Sequence, residues 1–376
     1  MRIVVDAHLP GVEEEFSGLG EVVSIPGHEI GPDVLKGATA LIVRTVTKVD
    51  SALLRNSGIR FVGTATAGVD HVDREWLRAQ GIDFASAAGA NAESVVEYTL
   101  AALAEGLDPE MDYSKTVVGI VGGGHVGSLL ATRLRHMGWT VHVSDPPFAA
   151  SGRMQEPSVS LDELLPMVDI LSINAERTTS GSYPTVGLLD AGRLSRLKRG
   201  AFLIHTARGG IVDDMAAASA RRAGALSWLA LDVWQDEPVP ARTVKAAADI
   251  ATPHIAGYSR DAKASGLRMI SNALALAMGC PTRTALPHLP VDEQSMTIRV
   301  SDSWYGEVHA WRVLMRAMMD IRADDRRFRA VHTAEDFHRL RATYPLRYTF
   351  SRYTLDSVHP RWNRMARALG MKTVRS

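Results

Sequence analysis

A chain of 376 residues with 46% hydrophobic and 22% charged content is long enough for two or three globular domains. Its formal net charge of +0 argues against an electrostatic nucleic-acid binder, and no apolar run approaches membrane-spanning length, so neither nucleic acid nor a membrane is expected as a partner. The single cysteine, Cys280, excludes an intrachain disulfide and a cysteine-ligated zinc cluster, and no metal is expected; the opening MRIVVDAHLP starts a strand without a signal-peptide pattern, so a cytoplasmic enzyme is expected.

Short apolar strands are expected at 3–6, 40–44, 61–66 and 83–87, separated by helical or irregular stretches. Such alternation predicts a parallel sheet covered on both faces. A helix over 93–106 leads out of this first lobe. Beyond it, strands are expected at 117–121, 140–143, 169–174, 201–206, 227–233 and 249–252, with helices after 124, over 188–197 and over 212–224. A helix over 263–278 should return to the first lobe. The Pro-rich stretch 281–290 reads as a linker. After it, Trp304, Val308, Trp311, Met315 and Met318 repeat at helical spacing, a packing face, and residues 348–353 alternate like a strand. From residue 321 to the end, 13 Lys+Arg stand against 5 Asp+Glu. That excess reads as a solvated or subunit-facing surface, with anion binding as the alternative. The division expected is 1–92 with 259–280 as a substrate lobe, 93–258 as a dinucleotide lobe, and 281–376 as a small α+β unit.

The chemistry is densest around residues 116–145. Gly122, Gly124 and Gly127 follow the strand at G-x-G-x-x-G spacing and open a helix through His125 and Val126. The first glycine permits a tight turn, the second lets the backbone approach a pyrophosphate, and the third lets helix and strand pack closely. Free N–H groups at the helix start favour an anion. Asp145, 18 residues after Gly127, stands near the offset expected of an acid that binds the adenosine ribose.

Three later strand ends hold polar residues where an open α/β sheet places its site. They read Ala207-Arg208-Gly209-Gly210, then 232–238 (DVWQDEP), then 253–258 (PHIAGY). Arg208 offers a rigid fork for a carboxylate. His254 is the proton carrier suited to neutral pH, and Glu237 can fix its tautomer. At the end of a first-lobe strand, Arg44, Thr45, Thr47 and Lys48 form a polar cluster that could hold a phosphate, or be a solvated loop.

The segments GGGHVG, TARGGIVDD, DVWQDEP and PHIAGYS resemble the D-isomer-specific 2-hydroxyacid dehydrogenases. Further resemblance, to a branch acting on a phosphorylated hydroxy acid, runs through VRTVTKVD, GTATAGVDHVD, NAESVVEY, HIAGYSRDAKASG and RATYPLRYTFSRY. The resemblance implies two doubly wound α/β lobes, flavodoxin-like and Rossmann, plus a small C-terminal domain that builds a homodimer. It implies NAD as cofactor and a catalytic set of Arg208, Glu237 and His254, the histidine exchanging a proton with the substrate hydroxyl. It places substrate contacts on Thr45, Thr66 and Tyr258, and NAD contacts on Asp145, Ala175, Thr206, Ala207, Arg208, Asp232 and Gly257. Relatives usually carry a His/Thr-Pro segment where this chain has Ala175, which offers no side-chain hydrogen bond, and often Cys where it has Ala90. Two other readings remain open: a dehydrogenase for another 2-hydroxy acid such as phosphoglycerate, and a non-catalytic NAD-sensing interaction protein.

Overall fold

The computed structural model describes residues 1–152, 154, 157–282, 296–300, 303–345 and 347–374, so most of the 281–290 linker reading lies outside the described residues. The chain forms two compact units. The first holds residues 1–91 with the stretch that starts at Ser259; the second holds residues 92–258 with the C-terminal segment.

In the first unit, β1 (Arg2–Asp6), β2 (Glu21–Ile25), β3 (Ala40–Val43), β4 (Phe61–Thr64) and β5 (Asp83–Ser86) form a five-stranded sheet in the order β2-β1-β3-β4-β5. All its pairings are parallel. This is the flavodoxin-like doubly wound order. Both faces are apolar: Val4, Leu41 and Val62 enter one core, and Ile3, Val5 and Ile42 the other. That explains the continuous apolar runs of the sequence. The edge strand β2 was not anticipated, because EVVSI has only partly buried apolar residues and no run long enough to stand out. The helix Arg260–Ala277 begins three residues before the sequence expectation, since the Ser259 side chain accepts the Ala262 N–H at 3.0 Å and caps it.

In the second unit, β6 (Val117–Val121), β7 (Thr140–Ser144), β8 (Ile170–Ile173), β9 (Ala201–His205), β10 (Leu226–Leu231) and β11 (Ile250–Ala251) form a six-stranded sheet in the order β11-β10-β9-β8-β6-β7. It too is wholly parallel. The chain goes from β6 out to β7 and returns to β8 on the opposite side. The switch point therefore lies between β6 and β8, at the glycine loop.

The C-terminal segment adds a three-stranded sheet, β12 (Thr297–Arg299), β13 (Thr354–Asp356) and β14 (Lys372–Thr373), in the order β12-β13-β14, also parallel. Its helix Glu307–Met318 buries Val308, Trp311, Met315 and Met318 in a core shared with Val95, Val96 and Trp139. Trp139 meets Trp311 edge to face at 5.6 Å. Residues 350–352 are a 3-10 turn, not part of a strand. The Phe350 N–H is taken by the Glu97 carboxylate at 2.5 Å, and its ring is fully buried, so tertiary anchoring overrides the alternating pattern.

Candidate active site

β9, β10 and β11 are neighbours and parallel, so their C-terminal ends open on one edge of the sheet. Arg208 follows β9, Glu237 follows β10 and His254 follows β11. His254 Nδ1 lies 2.9 Å from Glu237 Oε2. Glu237 Oε1 accepts the Trp234 N–H at 3.0 Å, which fixes the carboxylate. Burial pushes the Glu237 carboxyl up, but the hydrogen bond and charge of His254, the Trp234 N–H and the charge of Arg341 together hold it below its ordinary value. Glu237 is therefore ionised at neutral pH. It accepts a proton-bearing Nδ1, and this leaves the Nε2 lone pair of a neutral His254 for chemistry.

The loop that carries His254 is held by a residue assigned to the cofactor in the sequence analysis. Asp232, 1% exposed, accepts the Thr252 hydroxyl at 2.7 Å, the Ile255 N–H at 2.8 Å and the Ala256 N–H at 2.9 Å. Its own backbone carbonyl accepts the His254 N–H at 2.7 Å. The Tyr98 hydroxyl lies 2.6 Å from Thr252 Oγ1, and the Trp234 indole donates to the Thr252 carbonyl at 2.9 Å. These bonds hold His254 at φ +57°, a left-handed conformation uncommon for a side-chain-bearing residue and typical of functional positions.

Arg208 donates through Nη1 to the Ala207 carbonyl at 2.7 Å. Beside it, Asp214 is turned inward and accepts the Gln235 N–H at 2.8 Å, tying the Arg208 loop to the loop that carries Glu237. Burial pushes the Asp214 carboxyl up to about 6. Of the two adjacent acids at this helix start, Asp213 is the cap, accepting the Ala216 N–H at 2.9 Å. His205, fully buried at the end of β9, has its imidazole pushed down to about 4 by burial and stays neutral.

The glycine loop fits a dinucleotide. The helix His125–His136 has Gly124 at its N-cap with no side-chain cap, and a Cβ at Gly124 would meet nothing within 4 Å, so the helix start is open. A Cβ at Gly127 would stand 1.8 Å from the Gly122 carbonyl oxygen, the close packing that requires glycine. Gly122 has φ +95°, and a Cβ there would stand 2.6 Å from the Ala175 nitrogen across the switch point. Val126 is partly buried, and His125 is exposed at the helix start. Thr206 has a buried hydroxyl oxygen with no hydrogen-bond partner among the described residues, available to a bound group. Asp145 accepts the Gly123 N–H at 2.7 Å and the Phe148 N–H at 2.9 Å, so its carboxylate is fixed beside the loop. Gly257 and Tyr258 continue the His254 loop, where the Tyr258 N–H donates to the Ile255 carbonyl at 2.8 Å.

In the first unit, much of the cluster around Arg44 is occupied internally. Arg44 donates to the fully buried Asp6 through Nε at 2.8 Å and Nη2 at 3.2 Å. The Thr47 hydroxyl donates to the Gly27 carbonyl at 2.8 Å, and Lys48 pairs with Asp50 at 2.9 Å. Thr45 is exposed. Thr66 Oγ1 lies 2.9 Å from Thr64 Oγ1 and donates to the Gly68 carbonyl at 3.2 Å.

Residues 101–256 match the family model described as D-isomer specific 2-hydroxyacid dehydrogenase, NAD binding domain, and residues 290–370 match a model described as a domain of unknown function. The chain is similar to erythronate-4-phosphate dehydrogenase of Edwardsiella ictaluri, with 41% identity over 355 residues and 93% of each chain covered. Its likeness to the erythronate-4-phosphate dehydrogenase of Azotobacter vinelandii covers 100% of both chains at 38% identity. In fold it is similar to D-lactate dehydrogenase from Aquifex aeolicus, solved with NAD and lactic acid, at a TM-score of 0.61 and 23% identity, covering 74% of this chain and 96% of that one. The chain belongs to the erythronate-4-phosphate dehydrogenase family of NAD-dependent D-isomer-specific 2-hydroxyacid dehydrogenases.

Proposed function

We propose that this protein oxidises 4-phospho-D-erythronate at C2 to 2-oxo-3-hydroxy-4-phosphobutanoate with NAD as acceptor, a step of pyridoxal phosphate (vitamin B6) biosynthesis, and that it acts in the cytoplasm. The observation that carries the reading is the His254–Glu237 contact at 2.9 Å, at strand ends beside a dinucleotide loop. Bound on Gly122 to Gly127 and Asp145, NAD supplies the acceptor for the C2 hydride. His254 takes the hydroxyl proton at Nε2. Glu237 stabilises the imidazolium that forms. Arg208 holds the substrate carboxylate and polarises the C2 oxygen as it becomes a carbonyl. The test is NADH formation by purified protein from 4-phosphoerythronate compared with 3-phosphoglycerate. Preference for the second acid would reassign the substrate, and NAD binding without NADH from either would point to a binding module.

The position of Asp145 leads to an expectation about cofactor choice. Its carboxylate, fixed by the Gly123 N–H at 2.7 Å, would repel a 2′-phosphate, so titration should show tighter binding of NAD than of NADP. Equal affinities would remove Asp145 from the ribose site.

A homodimer through the segment from about residue 291 onward is also part of this reading. The apolar helical face of this segment is buried within its own chain, with Val308 8%, Trp311 2% and Met315 1% exposed, and so does not supply the interface. The reading rests on the family resemblance of this segment; Tyr305, Val313 and Val358 on it are exposed and free to meet a second copy. Sedimentation at micromolar concentration should give a dimer, and a monomer would contradict it.

A further inference from the structure

The helix Ala334–Ala342 carries a cation, Arg341, whose guanidinium lies against two aromatic rings and has no carboxylate in an ion pair with it among the described residues. The Arg341 guanidinium lies 5.5 Å from the Tyr258 ring centroid and 5.6 Å from that of Phe337. Tyr344 meets Tyr258 edge to face at 6.0 Å, and its hydroxyl donates to Asp324 at 3.0 Å. The Tyr258 ring is thus flanked by two residues of the C-terminal segment. Neighbouring arginines are matched to carboxylates: Arg327 to Asp324, Arg329 to Asp325, Arg339 to Asp336 and Arg347 to Glu97. Arg341 has no such pair among the described residues, and its Nε is buried without a hydrogen-bond partner. A desolvated donor left unmade is costly, so the arrangement suits an anionic ligand. The charge also reaches the catalytic pair, since Arg341 is among the groups that hold Glu237 below its ordinary value.

We propose that Arg341 binds the phosphate of the substrate beside Tyr258. The inference rests on the substrate reading above. A 4-phosphorylated hydroxy acid brings two anions, and Arg208 serves the carboxylate. In the first unit, the charge of Arg44 is offset by the buried Asp6 and that of Lys48 by Asp50. Among the described residues no carboxylate forms an ion pair with Arg341, and a guanidinium fork matches phosphate geometry. The basic excess of the C-terminal segment then has a local purpose at this position, and Tyr258 becomes the platform that aims the fork.

The test uses the full-length protein with NAD, comparing 4-phospho-D-erythronate with unphosphorylated D-erythronate. Arg341→Met keeps an apolar stem against Tyr258 and Phe337 and removes the charge. It should raise KM for the phosphorylated acid by roughly ten- to a hundredfold, the loss expected for charge-assisted hydrogen bonds, with kcat much less affected. KM for D-erythronate should change far less than KM for the phosphorylated acid, any change in kcat through the charge on Glu237 being common to both acids, and Arg341→Lys should recover part of the lost affinity. Equal losses on both acids, or an unchanged KM for the phosphorylated one, would overturn the assignment and leave Arg341 a packing residue. Wild-type protein that forms NADH from neither acid would overturn the substrate reading itself, and the proposal with it.

Discussion

His254→Gln should lower kcat by about 10²–10⁴-fold, the usual contribution of a positioned general base, with NAD affinity nearly unchanged. Glutamine can still hydrogen-bond near Glu237 but cannot accept the hydroxyl proton. The cofactor loop is on a different strand end, at β6, so binding is decoupled from the proton step. Retained NAD binding separates this from simple misfolding. Glu237 is held below its ordinary carboxyl value and is charged at neutral pH. Glu237→Gln removes the carboxylate that stabilises the imidazolium formed when His254 takes the proton, so kcat for oxidation should fall while NAD affinity is kept. The measurement is kcat and NAD affinity for wild type and both variants. Near-normal turnover in His254→Gln would take His254 out of the mechanism.

The sequence shows the parts of this site that depend on local rules. Glycine spacing after an apolar strand marks the loop because the reasons for each glycine are steric and local: Gly127 packs on the Gly122 carbonyl, and Gly124 leaves the helix start open. Strands buried on both faces announce themselves as apolar runs, and β6 falls on the stretch expected. Interactions between distant residues left no such signal. Asp232 was assigned to the cofactor, yet its carboxylate also binds three donors that lie 20–24 residues further along the chain. Trp234 passed as one letter of a motif, although its indole closes the loop through the Thr252 carbonyl. The alternation of residues 348–353 reads as a strand, and a turn forms at Phe350 instead because Glu97, 253 residues away in sequence, takes its N–H. Arg341 was one of many basic residues until the structure separated it from those already matched to acids.

Gly209→Ala should disable the enzyme without touching any residue that meets substrate. A Cβ at Gly209 would stand 1.8 Å from the Trp234 carbonyl oxygen and 2.4 Å from its carbonyl carbon. Both are backbone atoms, so no side chain can swing away to relieve the clash. Trp234 cannot yield easily either: it is 1% exposed, its indole is bonded to Thr252 at 2.9 Å, and its ring packs on Phe328 at 5.5 Å. The Arg208 loop and the loop carrying Glu237 must therefore separate. Overpacking of this kind costs about 1–3 kcal/mol of stability. The functional loss should be larger in effect, because the Trp234 N–H that fixes Glu237 moves with its carbonyl. A displacement of about 1 Å in such a constellation can cost on the order of 10²-fold in rate. The expected pattern is a folded protein with a modestly lowered melting temperature and kcat down by roughly that factor. Steady-state kinetics beside a thermal melt distinguishes this from general destabilisation. A variant that keeps wild-type kcat would show that the two loops can part without disturbing the His254–Glu237 pair.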